Sequence, residues 1–438
     1  MPKQINHERE KELALIRAMP PIKFSELEDK VNSWMMQADP HALKIMAALV
    51  IANKLPGDPV WMFIVGPSSG GKTMMLSLLN KLEETYPLSS LTPNTLVSGQ
   101  RGNNGLLFDI DKMILTFKDF TTVLQLYQEA RNEIMSQLRE VYDGAFKKTY
   151  GTGENRDWTG KIGFIAGVTT VVDMTSQLYS ALGERFIQYR LITPDRKEVA
   201  MFAINSSSKK KSTQADAKKE VQEYFARYIH GVKESMIDDD EVVTSTEQRT
   251  RLIRITNFAT LARSPIMRDS SPRREIYFKP ASEMPARFTQ QLNHLCMALM
   301  IMNRYETGEA ILTDDDELAI YKIALDSIPM MRRTVLQKVT EYDSTTAPIV
   351  AALTGFNTGV ARQQLEDLNM LGIIDRVKDE KKRADEWRIK DEFRGIMEEY
   401  DHIVPVSEEE QAIKMKEFTE IEQMFNEIAP QEMQDEMR

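Results

Sequence analysis

One cysteine, Cys296, serves 438 residues, which excludes disulfides and cysteine-based metal centres. It falls in an apolar helical pattern with Leu292, Leu295, Ala298 and Leu299 and reads as a small buried side chain, not a reactive thiol. Histidine is scarce as well. Five are scattered without paired spacing, so a histidine metal site has little support. Long apolar runs are missing: the longest, such as residues 45–52, are far short of the roughly 20 residues that cross a bilayer. No early segment joins a basic start to a continuous apolar stretch. These absences lead us to expect a cytoplasmic protein with no membrane partner. Positive charge is in deficit too, with 56 Lys and Arg against 66 Asp and Glu, a formal net charge of -10. Like charge repels phosphate, so a protein that coats nucleic acid over its whole surface is excluded and any DNA contact must be local.

What is present is the composition of a globular chain, 42% hydrophobic and 28% charged, long enough for two or three domains. The 26 methionines suit adaptable core filling. Apolar residues over 38–54 recur at helical spacing until Leu55-Pro56-Gly57-Asp58-Pro59 stops the helix. Residues 60–65 form a compact apolar run of the kind buried on both faces of a parallel sheet, and 73–82 reads as a helix. Further buried strands are expected over 113–117, 162–166 and 186–192, and a helix over 123–142. Residues 144–161, rich in glycine, lysine and aromatics, read as a hairpin. This alternation of strand and helix predicts an α/β class with a parallel sheet.

Residues 206–212 look like an exposed linker. Helical patterns follow over 216–229, 247–262 and 285–303, with the acidic Asp238 to Glu241 stretch as a solvated loop. The expected organisation is an N-terminal helical segment (1–37), an α/β core (38–205), a helical lid (206–313), a C-terminal domain (314–400) and an acidic helical tail (401–438).

The strongest chemical signal is Gly66-Pro67-Ser68-Ser69-Gly70-Gly71-Lys72-Thr73, placed between a buried strand and a helix. Glycines at the tight points let successive main-chain amides and the head of the helix face phosphate groups. Lys72 would bridge the terminal phosphates of ATP, and Thr73 would ligate Mg2+. Asp119, closing the apolar run 113–117, is the candidate magnesium-organising acid, although an aspartate there can also cap the helix that follows. Phe120 stands next to it, where many such ATPases carry the glutamate that orients water. The catalytic base is therefore unassigned, with Glu140 a weak candidate, and slow or partner-stimulated hydrolysis is expected.

Taken with Thr169 after the third strand and with Leu182-Gly183-Glu184-Arg185-Phe186, these motifs resemble the AAA+ family of ring-forming P-loop ATPases over roughly residues 38–303. The resemblance implies that Thr169 senses the terminal phosphate and that Arg185 reaches a neighbouring subunit's nucleotide, unless it pairs with a nearby acid. It also implies that Arg287 contacts the phosphates from the lid, unless it is an ordinary surface arginine. The hairpin before the third strand and the Glu-Arg-Phe element are similar to minichromosome-maintenance-type helicases and to phage and mobile-element replication proteins, among them phage AAA+ proteins with Lys-Asp-Phe-Thr and Leu-Gly-Glu-Arg-Phe. On that likeness Lys147, Lys148 and Lys161 would line a central channel, although a solvated β-turn accounts for them nearly as well, and a homo-oligomer such as a hexameric ring is implied.

Residues 345–389 carry a second module. A short helix over 348–353, the turn Thr354-Gly355-Phe356-Asn357 and a second helix over 358–371 have helix-turn-helix spacing. Gly372, strands over 373–377 and 386–389, and a basic tip over 378–383 complete a pattern that resembles a winged-helix domain. The expected DNA contacts are Asn357, Thr358, Arg362, Gln363, Lys378, Lys381, Lys382 and Arg383, with phosphate anchoring ahead of base reading for the lysines. Winged helices also dock proteins, and Glu366, Asp367, Asp379 and Glu380 dilute the positive field. The sequence thus points to an ATP-hydrolysing DNA motor, helicase or initiator with replication partners. A helicase loader and an ATP-gated winged-helix transcription regulator stand as rivals.

Overall fold

The computed structural model describes residues 3–36, 38–100, 104–151, 153–174, 185–207, 211–236, 242–269, 271, 274–378 and 385–403. The Leu182-Gly183-Glu184 motif, the acidic loop 238–241, residues 208–210 of the expected linker, Asp379 to Arg383 and most of the acidic tail lie outside them. The chain divides into two compact units. The first comprises Met1–Thr175, Glu184–Leu252 and Ala286–Ile323, and the second Ser176–Gly183, Ile253–Pro285 and Ala324–Arg438. Residues 206–313, read from sequence as one helical lid, are therefore shared between the two.

The first unit is an α/β structure built on a five-stranded parallel sheet. Its strands are β1 (Trp61–Val65), β2 (Thr85–Leu88), β3 (Ile114–Phe117), β6 (Gly163–Val168) and β7 (Phe186–Arg190), in the order β2-β3-β6-β1-β7. Every residue of β1, β3 and β6 is buried, which is why these strands read as mainly apolar runs, with only Thr116 polar, and not as alternating ones. The sheet centre is aromatic. Phe63 stacks on Phe186 with ring centroids 4.0 Å apart, and Trp61 lies edge-on to Tyr142. The helix Ala42–Ala52 is apolar on nearly all sides and correspondingly buried.

Two departures from the sequence reading have clear causes. β2 was not expected; Pro87 sits in it, and at the sheet edge a residue without an N–H costs no ladder bond. The helix expected over 123–142 is two helices, Thr121–Leu124 and Gln128–Tyr142, broken where Tyr127 stands 92% exposed. The expected hairpin is β4 (Ala145–Thr149) paired with β5 (Asn155–Thr159), with Phe146 opposite Trp158 on its buried face.

The second unit contains β8 (Met267–Arg268) and β9 (Ile276–Phe278), an antiparallel pair. A three-stranded antiparallel sheet is made by β10 (Thr345–Thr346), β11 (Ile374–Val377) and β12 (Glu386–Ile389), in the order β10-β12-β11. Helices Ala347–Thr354 and Thr358–Met370 follow β10, joined by a turn in which Gly355 is left-handed. Among the described residues no helix is long and apolar enough to cross a membrane.

Candidate functional sites

In a parallel sheet the strand ends point one way, so the residues that follow β1, β3 and β6 meet at one edge. Because β6 lies between β1 and β3, the loop after β1 shares that edge with Asp119 and Thr169. An open α/β sheet binds ligands outside such carboxyl ends, where connections leave in opposite directions.

The glycine loop is held at its start and braced across its middle. Gly66 N–H donates to Val168 O at 3.2 Å, and Gly70 N–H to Pro67 O at 3.1 Å. Ser69 and Gly71 are both left-handed, with φ of 62° and 85°. At Gly71, the residue before the helix Lys72–Ser77, that conformation suits glycine. Ser68, Ser69 and Thr73 are exposed, whereas Lys72 is buried. Its ammonium donates to Gly66 O at 2.7 Å and Pro67 O at 2.6 Å, and no carboxylate among the described residues reaches ion-pair distance. Burial pulls the Lys72 pKa below its ordinary 10.5, and the charge of Asp119 offsets part of that effect. A desolvated cation facing neutral oxygens is what an anionic ligand would complete.

Asp119 is exposed, and its Oδ1 accepts the Thr121 N–H at 3.0 Å, so the cap reading describes its present bond. The hydroxyls of Thr121 and Thr169 lie 3.2 Å apart, and Thr169 N–H donates to Thr121 Oγ1 at 3.0 Å. Phe120 turns away from this edge. Its N–H donates to Gly167 O at 2.7 Å, and its ring, fully buried, packs against Phe63, Phe117, Phe164 and Phe186. The crossing is tight enough that a Cβ at Gly167 would fall 2.6 Å from the Lys118 carbonyl oxygen.

Three candidates are not brought to the loop. Tyr142 packs against Trp61, the first residue of β1, and so marks the opposite end of the sheet. Glu140 is exposed two residues before it and is no base for this chain's own loop. Arg287 lies over the Tyr142 ring at 5.7 Å, which removes the expected contact with phosphates of its own subunit. Arg185 lies over the same ring at 5.9 Å and pairs with Asp143 at 2.9 Å. Burial and the charge of Arg287 lower the Arg185 pKa from its ordinary value. The hairpin lysines are engaged within the unit: Lys147 with Asp157 at 3.2 Å, Lys148 with Glu133 at 3.0 Å, and Lys161 with Leu55 O at 2.5 Å.

Sequence reasoning missed a pocket beside the loop. Met35, Met36, Ala38, Ala42, Leu191 and Pro194 give it an apolar lining next to Gly70 and Gly71, open to solvent. Asp39 shapes it. That buried carboxylate accepts the Tyr189 hydroxyl at 2.7 Å and the Ile192 N–H at 3.0 Å, and Lys322 Nζ lies 3.7 Å away. Asp39 and Tyr189 are 150 residues apart in the chain, so no local pattern could announce the site. Among the described residues no group of three or more His, Cys, Asp and Glu could hold a metal alone.

In the second unit, Thr358 and Arg362 are exposed on the helix Thr358–Met370 and Lys378 is exposed after β11. Asn357 caps that helix, its Oδ1 accepting Val360 N–H at 2.8 Å. Gln363 is half-buried, with its carbonyl taken by Arg268 at 2.9 Å. Asp367 is gripped by Arg268 at 2.8 Å and Arg332 at 3.2 Å, and Glu366 by Arg268 at 3.1 Å. These acids are neutralised inside the unit and do not dilute the outward field as expected. Lys381, Lys382 and Arg383 lie outside the described residues. No protein-family model and no curated protein matches this chain, so both sites are judged on their own geometry.

Proposed function

We propose that this chain is a P-loop ATPase of the AAA+ type with a C-terminal winged helix, which self-associates and uses ATP to remodel or unwind DNA in phage or mobile-element replication. The observation that carries the ATPase reading is the buried Lys72 ammonium, whose close partners are two main-chain carbonyls of its own loop. It stands at the sheet edge that also bears Asp119 and Thr169. Polyphosphate would replace those carbonyls and be held by Lys72 and the loop amides. Thr73 and Asp119 would hold Mg2+, which would neutralise charge on the terminal phosphates. The pocket lined by Met35, Met36, Leu191 and Pro194 is apolar enough to take the purine. Arg185 and Arg287, at the far end of the sheet, can serve only the nucleotide of a second copy.

DNA contact is assigned to the second unit from the exposed Thr358, Arg362 and Lys378 around a helix-turn-helix. Calorimetry with MgATP on the wild type and Lys72→Ala, joined to ATPase assays with and without DNA, tests the proposal. Binding that vanishes in the variant, and turnover that rises with DNA, is the expected result. Undiminished binding by Lys72→Ala would refute the site.

One observation favours a second reading, a loader or switch that does not translocate. The side chain after Asp119 is locked in the aromatic core, so no carboxylate stands there to orient water. A motor separates strands unaided, whereas a loader does so only with a partner helicase.

A further inference from the structure

The antiparallel pair β8 and β9 lies in a stretch that the sequence reading took as helical, and it is fastened to the helix Thr358–Met370 by a single guanidinium. Arg268 donates to Asp367 through Nε at 3.0 Å, to Glu366 and to the Gln363 carbonyl. Its Nη1 also donates to the Arg274 carbonyl at 2.7 Å. One side chain thus holds the loop of the hairpin within a guanidinium's width of the helix. Farther along, Lys279 Nζ donates to Met370 O at 2.6 Å, so the hairpin follows the helix from Gln363 to its last turn. Arg274 sits in the left-handed region at φ 49°, unusual for arginine. Asp269 closes the same loop, its Oδ1 accepting from Ser271 N–H and Glu275 N–H.

This arrangement sorts the charges. Glu366 and Asp367 are spent on buried arginines, while Arg274 and Arg362 are exposed. Neither of these two has an ion-pair partner among the described residues. Glu275 directly follows Arg274 and is exposed, as is Asp375, which lies 3.9 Å from Lys390; both acids temper the field. We propose that Arg274, just before β9, is a second nucleic-acid contact of this unit, anchoring a backbone phosphate of duplex DNA beside the stretch met by Arg362. The inference rests on the DNA-binding reading of the second unit and adds an element outside the helix-turn-helix. Duplex is favoured because Arg274 is tied to the Gln363 turn, close to the N-terminal half of the helix that enters the groove in such motifs. Tyr277 and Phe278, 66% and 53% exposed, are the groups a single strand would stack on. They lead into Lys279 and the opposite end of the helix.

The test is fluorescence anisotropy of the full chain with short duplexes of two unrelated sequences, over a salt series. The variants are Arg274→Ala, Arg274→Lys, Arg362→Ala and the double variant Tyr277→Ala with Phe278→Ala. Arg274→Ala is expected to weaken both duplexes about three- to tenfold and to reduce the slope of log affinity against log salt by about one. Arg274→Lys should retain most of both. Wild-type affinity and slope in Arg274→Ala, with weakening in Arg362→Ala, would overturn the inference and leave the DNA reading standing. Loss confined to the aromatic variant would overturn it in favour of unpaired strands. If the wild type binds no duplex at low salt, the DNA reading fails and takes the inference with it.

Discussion

The hydroxyl of Thr121 stands 3.2 Å from that of Thr169 and accepts the Thr169 main-chain N–H at 3.0 Å. The same residue gives its own N–H to Asp119 at 3.0 Å. One threonine therefore fixes the candidate magnesium acid relative to the candidate phosphate sensor, although the two follow different strands. Thr121→Val keeps the shape and removes the hydroxyl, leaving the Thr169 N–H without its partner. We expect a stability loss of about 1–2 kcal/mol, nucleotide affinity within about twofold, and hydrolysis lowered at least about tenfold by misplacement. Thermal melts, calorimetry and turnover on one preparation check this; unchanged turnover would make the link purely structural.

Phe120 explains why a glutamate cannot simply be restored beside Asp119. Its ring is fully buried among four other phenylalanines. Phe120→Ala should cost about 3–5 kcal/mol through the cavity it leaves. Phe120→Glu would bury an unpaired carboxylate and should yield no soluble folded protein, with no gain in ATPase rate. A folded, faster Phe120→Glu variant would show that this segment can turn over to face the loop.

The Lys72 ammonium gives a pH dependence of defined sign. Burial lowers its pKa from the ordinary 10.5, so the unfolded chain holds that proton more tightly than the folded one. Stability in the nucleotide-free chain therefore rises with pH from the lowered folded value up to 10.5. Bound polyphosphate favours the charged amine and reverses the shift. MgATP association should take up a proton at pH values above the lowered value of the free chain and weaken as pH climbs through it. Calorimetry in two buffers of unlike ionisation enthalpy reads this directly, and identical heats would mean that Lys72 does not change protonation on binding.

How much of this was legible beforehand follows from the range of each interaction. The glycine loop, the strands beside it and the helix-turn-helix are local patterns, and they emerged close to the expected positions. β2 was hidden because Pro87 argues against a strand everywhere except an edge. The Asp39, Thr121 and Arg268 networks join elements distant in sequence, so periodicity carried no trace of them. Glu366 and Asp367 misled for the same reason: an acid reads as surface charge until its arginine, about 100 residues upstream, is seen to hold it.

Asp367 accepts from two guanidinium groups, of which Arg332 is fully enclosed and also donates to the Ala262 and Ser264 carbonyls at 2.7 and 2.8 Å. Burial lowers the Arg332 pKa from its ordinary value, and the charge of Asp367 opposes that. Removing the acid leaves buried Arg332 with no carboxylate among the described residues, while Arg268 keeps only Glu366. Asp367→Ala should destabilise the second unit by about 3–5 kcal/mol, well beyond the effect of an exposed change such as Arg362→Ala. Denaturant melts followed by Trp387 fluorescence compare the two. Equal losses would mean that the network contributes no more than a surface pair.

Asp39 offers a way to separate recognition of a base from recognition of phosphate. Its carboxylate ties the segment before the helix Ala42–Ala52 to Tyr189 and Ile192, and so sets the width of the apolar pocket beside Gly70 and Gly71. Lys322 lies over the Tyr189 ring at 3.9 Å and donates to Arg190 O, so it keeps partners if the acid is neutralised. Asp39→Asn retains the size and one acceptor while weakening the clamp. The glycine loop, fixed by Val168 and Pro67, should be unaffected. The variant is therefore expected to lose about tenfold in affinity for ATP and to bind inorganic tripolyphosphate within about twofold of the wild type. Equal weakening of both ligands would mean that the pocket supports the loop and does not receive the purine.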